Sequence, residues 1–84
     1  MKKSHLTNDY QILSTLLRKH REAAGLTQID VARRIKDTQS YVSKVERGDR
    51  RLDLVQFRVF CRAIGISLTD FVQEFDRLAS RPRR

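Results

Sequence analysis

The sequence predicts an all-α domain built from five short helices. Apolar residues recur at intervals of three and four along most of the chain, the spacing that places them on one face of a helix. No segment alternates polar and apolar residues with a period of two, and no Asn-Gly or Asp-Gly pair offers a tight hairpin turn. The length of 84 residues suffices for one small domain with one modest core.

The first predicted helix covers the segment NDYQILSTLLRKHREAA. We expect Asn8 or Thr7 to cap its start, and we expect Gly25 to end it in the left-handed conformation, with Leu26 folding back. Its apolar stripe consists of Tyr10, Leu13, Leu16, Leu17, His20 and Ala24. One face of this helix therefore turns to the core.

Two short helices follow at once. Thr27 and Asp30 form a variant of the capping box at the start of the second helix, and Thr38 can cap the third, which ends at Gly48. The residues expected to face inward are Val31, Ala32 and Ile35 in the second helix and Val42 and Val45 in the third. A turn of three or four residues at Lys36 separates the two helices.

The last two helices repeat the same plan. Asp53 caps the fourth helix and Gly65 ends it, while Ser67 and Asp70 form a box at the start of the fifth. The apolar stripes are Leu54, Phe57, Phe60, Cys61 and Ile64 in the fourth helix, and Leu68, Phe71, Val72, Phe75 and Leu78 in the fifth.

The chain organisation follows from these helices. We expect an N-terminal arm over residues 1–8, one domain over residues 9–79 and a basic tail over residues 80–84. The single cysteine, Cys61, excludes an intrachain disulfide and a zinc site made of several thiolates. No apolar stretch approaches the ~20 residues of a membrane span, and no signal peptide precedes the domain. The sequence predicts a cytoplasmic protein without membrane contact.

The charge distribution points to an anionic partner. The chain carries 18 lysine and arginine residues against 10 acidic residues, a formal net charge of +8. Residues 33–51 hold seven basic groups and three acids, whereas residues 53–76 hold more acids than bases. A uniformly soluble surface does not require this polarity, so nucleic acid is the leading candidate.

The second and third helices fit a helix-turn-helix unit. Val42 and Val45 anchor the third helix, so its opposite face is free to enter the major groove of DNA. The side chains on that face are able to hydrogen-bond base edges: Gln39, Ser40, Ser43 and Lys44. The arginines that follow Gly48 would then lie over the phosphates. An ordinary solvated face is the alternative interpretation of these residues.

Residues 16–72 resemble the phage repressor and Cro family of helix-turn-helix domains, also called the XRE type. The resemblance rests on three fragments, LLRKHREAAGLTQIDVARRI, TQSYVSKVERG and LDLVQFRVFCRAIGISLTDF. It implies a compact five-helix, lambda-repressor-like domain that binds operator DNA, usually as a dimer. Each fragment alone is weak, and their combination is specific.

The resemblance also implies roles for individual residues. Gln39, Ser40 and Lys44 occupy base-contacting positions, and Arg21 and Glu46 occupy positions where some members have an ion pair. The residues expected at the DNA backbone are Thr27, Gln28, Thr38, Tyr41, Ser43, Arg47, Arg50 and Arg51. Two positions depart from the family. Lys36 replaces a common glycine, so either the turn changes shape or the lysine is strained, and the large Tyr41 either covers the turn or touches the backbone.

The predicted function is sequence-specific binding of double-stranded DNA by a transcriptional regulator of the repressor or restriction-controller kind. The alternative is a protein-interaction module such as an antitoxin, for which the chain lacks an evident toxin-binding extension. We expect no enzymatic activity, cofactor, metal or small-molecule ligand, since neither a glycine-rich phosphate loop nor a catalytic constellation occurs.

A homodimer is expected because one helix-turn-helix contacts only a few base pairs. The candidate dimer residues lie on the fourth and fifth helices: Val55, Val59, Val72, Phe75 and Leu78. Burial of these side chains in the domain's own core is an equally good interpretation.

Overall fold

A computed structural model describes residues 3–80, which form five α-helices and, over this range, no strand. The helices are α1 (Lys3–Ala23), α2 (Gln28–Ile35), α3 (Gln39–Glu46), α4 (Leu54–Ile64) and α5 (Leu68–Ala79). The predicted all-α, five-helix fold is confirmed. Among the described residues, no helix combines the length and apolarity needed to cross a membrane.

The start of α1 differs from the prediction. Thr7 and Asn8 lie inside the helix, which begins at Lys3, so neither caps it. Each further residue of a helix adds a hydrogen bond once the first turn exists, and residues 3–8 contain no glycine or proline to interrupt it. From residue 3 onward the predicted arm is therefore continuous with α1. Residues 1–2 of that arm and residues 81–84 of the predicted tail lie outside the described residues.

The other helix ends follow the local sequence. Thr27, Thr38, Asp53 and Ser67 are the N-caps of α2 to α5, and the side-chain oxygen of each accepts a backbone N–H three residues later. Asp30 completes the capping box of Thr27. Of the box predicted at α5, the structure describes only the bond from the Asp70 backbone N–H to the Ser67 hydroxyl. The capping residues thus fix where α2 to α5 begin.

A single apolar core joins all five helices. Its fully buried centre is Phe71 of α5, whose ring lies 5.2 Å from that of Phe57 on α4. The buried apolar residues are Leu16, Leu17, Val31, Ala32, Val42, Val45, Phe57, Phe60, Cys61, Ile64 and Phe71. This set includes Val31 and Ala32 of α2 and Val42 and Val45 of α3, so the inward faces predicted for these helices are confirmed. Burial also raises the pKa of the Cys61 thiol to about 11.

Three members of the predicted stripes are exposed and do not reach this core. Leu54 is 68% exposed because it is the first residue of α4, whose inward face begins one turn later at Phe57. Ala24 is exposed because α1 has already ended at Ala23 and the chain turns at Gly25, whose φ is +74°. Val72 is also exposed, on the outer side of α5.

Candidate nucleic-acid interface

The turn between α2 and α3 is built around a left-handed lysine. Lys36 has φ 61° and ψ 47°, and its backbone N–H donates to the carbonyls of Ala32 and Arg33. The N–H of Asp37 also reaches back to the Ala32 carbonyl, at 2.9 Å. These bonds satisfy carbonyls at the end of α2, the usual role of a glycine in this position. Of the two alternatives that the sequence left open for this turn, the structure has the second, in which Lys36 takes the strained left-handed conformation.

Helix α3 has one buried face and one exposed face. Val42 and Val45 are buried in the core and fix the helix against α1 and α2. Three residues predicted to contact bases, Gln39, Ser40 and Lys44, are all exposed on the other side. The structure therefore brings these three side chains together on one accessible surface, whose capacity to contact bases remains a prediction.

A buried ion pair lies behind α3. The Arg21 side chain is only 10% exposed, and its Nε donates to Glu46 Oε2 at 2.6 Å while its Nη2 donates to Glu46 Oε1 at 3.0 Å. Nη1 donates to the Leu26 carbonyl at 2.8 Å. Hydrogen bonding to Glu46 raises the pKa of Arg21 above its ordinary value, against the opposing effect of burial. The pair ties α1 to the end of α3.

Two glutamines extend this ion pair to the protein surface. Gln28 Nε2 donates to Glu46 Oε1 at 3.0 Å, and Gln39 Nε2 donates to Gln28 Oε1 at 3.3 Å. The carboxylate of Glu46 accepts only, so it fixes which side of the Gln28 amide faces inward, and Gln28 then orients Gln39. The described side chains of residues 8–80 provide no hydrogen bond to Gln39 Oε1. The family resemblance implied that Gln28 contacts a DNA phosphate. The sequence did not reveal this chain of hydrogen bonds.

The loop between α3 and α4 carries the arginines predicted to contact phosphates. Arg47 is exposed but bonded to neighbouring side chains: its Nε donates to Asp49 Oδ2 at 3.0 Å and its Nη1 donates to Ser43 Oγ at 2.9 Å. Arg50 instead lies over the ring of Tyr41, with 5.1 Å between its Cζ and the ring centroid. Arg50, Tyr41 and Lys44 line a shallow groove beside α3.

Both tyrosines beside this loop contact arginine. Arg51 Cζ lies 4.4 Å from the ring centroid of Tyr10, a residue that the sequence placed only in the apolar stripe of α1. Tyr41 is half-buried, its ring 5.9 Å from that of Phe60, and burial raises the pKa of its phenol. Tyr41 thus packs against α4 while Arg50 lies over its ring. No sequence spacing identifies the contact of Tyr10, since 41 positions separate it from Arg51.

Thr27 and Thr38, two residues expected at the DNA backbone, already use their hydroxyls to cap helices. The hydroxyl of Thr27 accepts the Asp30 N–H at 3.0 Å, and that of Thr38 accepts the Tyr41 N–H at 3.1 Å. The bonds from Thr27 lower the pKa of the Asp30 carboxyl. Both threonines still lie at the exposed starts of α2 and α3, beside the base-contacting candidates.

The dimer candidates separate into two groups. Val55, Val59 and Val72 are exposed by 72%, 44% and 44%. Phe75 and Leu78 are half-buried and pack against the core of their own domain. Val55, Val59 and Val72 are, with Leu54, the exposed large apolar residues of α4 and α5, and we call these four residues the α4–α5 patch.

Comparison with known proteins agrees with this geometry. The family model described as a helix-turn-helix domain matches residues 12–72. An XRE-family like protein from Pseudomonas syringae pv. tomato str. DC3000 is 39% identical with a TM-score of 0.85, over 92% of this chain and 94% of that one. The chain belongs to the XRE family of helix-turn-helix proteins. This membership makes it a DNA-binding regulator of transcription.

Two other solved structures have the same fold. The clp gene regulator ClgR from C. glutamicum is 26% identical with a TM-score of 0.75, over 82% of this XRE-family chain and 88% of ClgR. The restriction-modification controller protein C.Esp1396I, solved as a tetramer with its natural 35-base-pair operator, is 22% identical with a TM-score of 0.78. That match covers 87% of this chain and 96% of the controller protein, and at this identity it shows the fold alone. The search of curated proteins found no match.

Proposed function

We propose that this XRE-family protein is a sequence-specific repressor or controller-type regulator that inserts α3 into the major groove of DNA. The observation that carries the proposal is the exposed face of α3, where Gln39, Ser40 and Lys44 stand opposite the buried Val42 and Val45. The major groove of B-DNA, roughly 12 Å wide, admits an α-helix presented in this way.

The chemistry of the exposed face suits base recognition. A glutamine amide can contact adenine with both its oxygen and its nitrogen, and a lysine can donate to guanine. The bond from Gln39 Nε2 to Gln28 engages one N–H and leaves the second N–H and Oε1 of Gln39 for a base. Ser40 can donate or accept, so it tolerates several bases. This arrangement supports Gln39 and Lys44 as the residues that specify sequence.

The surrounding residues support a backbone-contacting role. The start of α2, with Thr27 and Gln28, offers backbone N–H groups and the positive end of a helix dipole to a phosphate. Arg50 and Arg51 lie on the loop after α3, where their charges can neutralise phosphates. We propose the same role for Thr38, Tyr41 and Ser43, and a smaller one for Arg47, whose guanidinium Asp49 already neutralises in part.

The decisive experiment separates base contacts from phosphate contacts. The operator is first isolated by capture and sequencing of the genomic DNA that the protein binds. Gln39→Ala or Lys44→Ala should then weaken operator binding by about 1–3 kcal/mol and random-DNA binding much less, whereas Arg50→Ala should weaken both alike. Equal losses on both DNAs for all three variants would contradict the role of α3.

Salt dependence tests the electrostatic part of the proposal. Neutralisation of about 6–10 phosphates per dimer should make the logarithm of the binding constant fall steeply with the logarithm of salt concentration. The measurement is fluorescence anisotropy of a labelled duplex at several salt concentrations. Affinity that does not change with salt would refute a phosphate-contacting surface.

We further propose that the protein acts as a homodimer through the α4–α5 patch. Pairing doubles the contacted sequence and places two half-sites about one helical turn, roughly 34 Å, apart. The exposure of Val55 and Val72 supports this patch. Val72→Lys is a cleaner test than Phe75→Lys, because Phe75 packs against its own core. We expect Val72→Lys to be a folded monomer with weak operator binding, as measured by sedimentation and circular dichroism; a dimeric variant would exclude the patch.

A protein-interaction module of the antitoxin kind is the alternative proposal, and the exposed α4–α5 patch is the feature that favours it. Under this alternative, the purified protein would bind DNA with little sequence preference and Val72→Lys would abolish capture of a protein partner. In either case we propose a non-enzymatic role in the cytoplasm, where the DNA target lies.

A further inference from the structure

Arg50 and Arg51 differ from Arg21, Arg34 and Arg47 in how their guanidinium groups are held. Arg21 is bonded to Glu46, Arg47 to Asp49, and Arg34 donates to the Ala63 carbonyl at 2.8 Å. Among the side chains described, those of residues 8–80, neither Arg50 nor Arg51 makes a side-chain hydrogen bond or an ion pair, by contrast. Each has an aromatic ring against its guanidinium instead.

Contact with an aromatic ring does not occupy the N–H donors of the guanidinium. A cation over the face of an aromatic ring is attracted by the ring's quadrupole, and the contact uses no N–H bond. All five N–H groups lie in the plane of the guanidinium and can pair with the oxygens of a phosphate. An arginine held by a carboxylate, such as Arg47, has part of this fork occupied before any DNA arrives.

The two rings are themselves fixed by the fold. Tyr41 packs against Phe60, and Tyr10 is half-buried on α1, next to Ser14 and the loop residues Gly48 and Leu52. Arg51 therefore lies against a residue of α1, a helix outside the helix-turn-helix unit. Tyr10 also precedes the matched family region, which begins at residue 12.

We propose that Tyr10 and Tyr41 are positioning residues for DNA binding, which hold Arg51 and Arg50 in the orientation that contacts the phosphate backbone. The inference rests on the proposed function and adds α1 to the DNA-binding apparatus through Tyr10. Each ring restricts its arginine before DNA binds, so the arginine loses less conformational entropy on binding. The rings therefore contribute affinity without adding charge.

A double-mutant cycle on Tyr10 and Arg51 tests the inference. Tyr10→Leu should weaken binding to random duplex DNA at low salt by roughly two- to fivefold, the range expected for an exposed cation–π contact. In the Arg51→Ala background, the same substitution should have almost no effect. Tyr10→Phe, which keeps the ring, should recover most of the affinity that Tyr10→Leu loses. Arg77→Ala on α5, which removes a distant charge, serves as the matched control and should leave affinity nearly unchanged.

The salt dependence gives a second readout, which separates the loss of a positioning ring from the loss of a charge. Tyr10→Leu keeps every positive charge, so the slope of log affinity against log salt should stay as in the wild type. Arg51→Ala should lower the magnitude of that slope by about 1. Equal losses from Tyr10→Leu in both backgrounds would overturn the inference, because they would show that the ring acts through packing alone.

A measurement on the wild-type protein covers the case in which Tyr10→Leu does not fold. The side-chain protons of Arg51 should show an upfield ring-current shift and cross-peaks to the Tyr10 ring in NMR spectra, both free and bound to DNA. Their absence in the bound form would overturn the inference while leaving the proposed function intact. A wild type that binds no duplex at low salt would instead remove the proposed function itself.

Discussion

Replacing Lys36 by glycine should stabilise the protein. Among residues 3–80, Lys36 is the only residue other than glycine with a positive φ, at 61°. In this conformation the Cβ of an L-residue crowds the following carbonyl oxygen, which costs roughly 1–2 kcal/mol. The side chain is exposed and makes no hydrogen bond or ion pair within the described chain, so its removal breaks no contact there.

The size of the gain follows from two opposing contributions. Glycine relieves the strain but gives the unfolded chain more freedom, which offsets about 0.5–1 kcal/mol. Near the middle of both ranges, the difference leaves a net stabilisation of about 0.5–1 kcal/mol. For a domain of this size, that corresponds to a rise in Tm of roughly 2–8 °C. The backbone bonds from Lys36 and Asp37 to the Ala32 carbonyl persist in the variant, because they involve no side chain.

Urea unfolding followed by circular dichroism measures this effect. The midpoint should rise in Lys36→Gly while the slope m stays the same, since the surface exposed on unfolding is unchanged. Lys36→Ala is the matched control, because it removes the charge but keeps the Cβ, and it should gain little. Gly65→Ala should show the opposite effect, since Gly65 has φ 96°. A Lys36→Gly protein less stable than wild type, or a Lys36→Ala protein equally stabilised, would refute the strain at this turn.

Three further predictions concern single residues. Glu46→Ala should lower the free energy of unfolding by about 3–5 kcal/mol in urea titration, because it leaves the buried Arg21 guanidinium without its carboxylate. Cys61 should react with a thiol reagent at neutral pH only when the protein unfolds, since burial keeps it protonated with a pKa of about 11; rapid labelling of folded protein would contradict its burial. The bonds from Thr27 lower the pKa of Asp30, so its contribution to stability is present above the ordinary value of 3.8 and is lost as the pH falls through the lower folded value. The stability difference between wild type and Asp30→Asn should therefore shrink on acidification, and a constant difference would contradict the capping role.

The sequence by itself determined the helices and most of their ends. Thr27, Asp53 and Gly65 act on backbone groups only a few residues away, so their effect depends on local sequence and hardly on the rest of the fold. The same holds for Val42 and Val45, whose spacing set the buried face of α3 and therefore its exposed one. Local reasoning failed at the start of α1. Thr7 and Asn8 are each able to cap a helix, but they lie within a segment in which the helix continues.

Only the tertiary structure decided how distant side chains meet. The bonds from Glu46 through Gln28 to Gln39 join α3 and α2, and the contact of Arg51 with Tyr10 joins the loop after α3 to α1. Their geometry depends on how α1, α2 and α3 pack together, which sequence spacing does not specify. The left-handed Lys36 was likewise left open by the sequence, because its local strain of about 1–2 kcal/mol is outweighed by the packing of α2 against α3 around the turn.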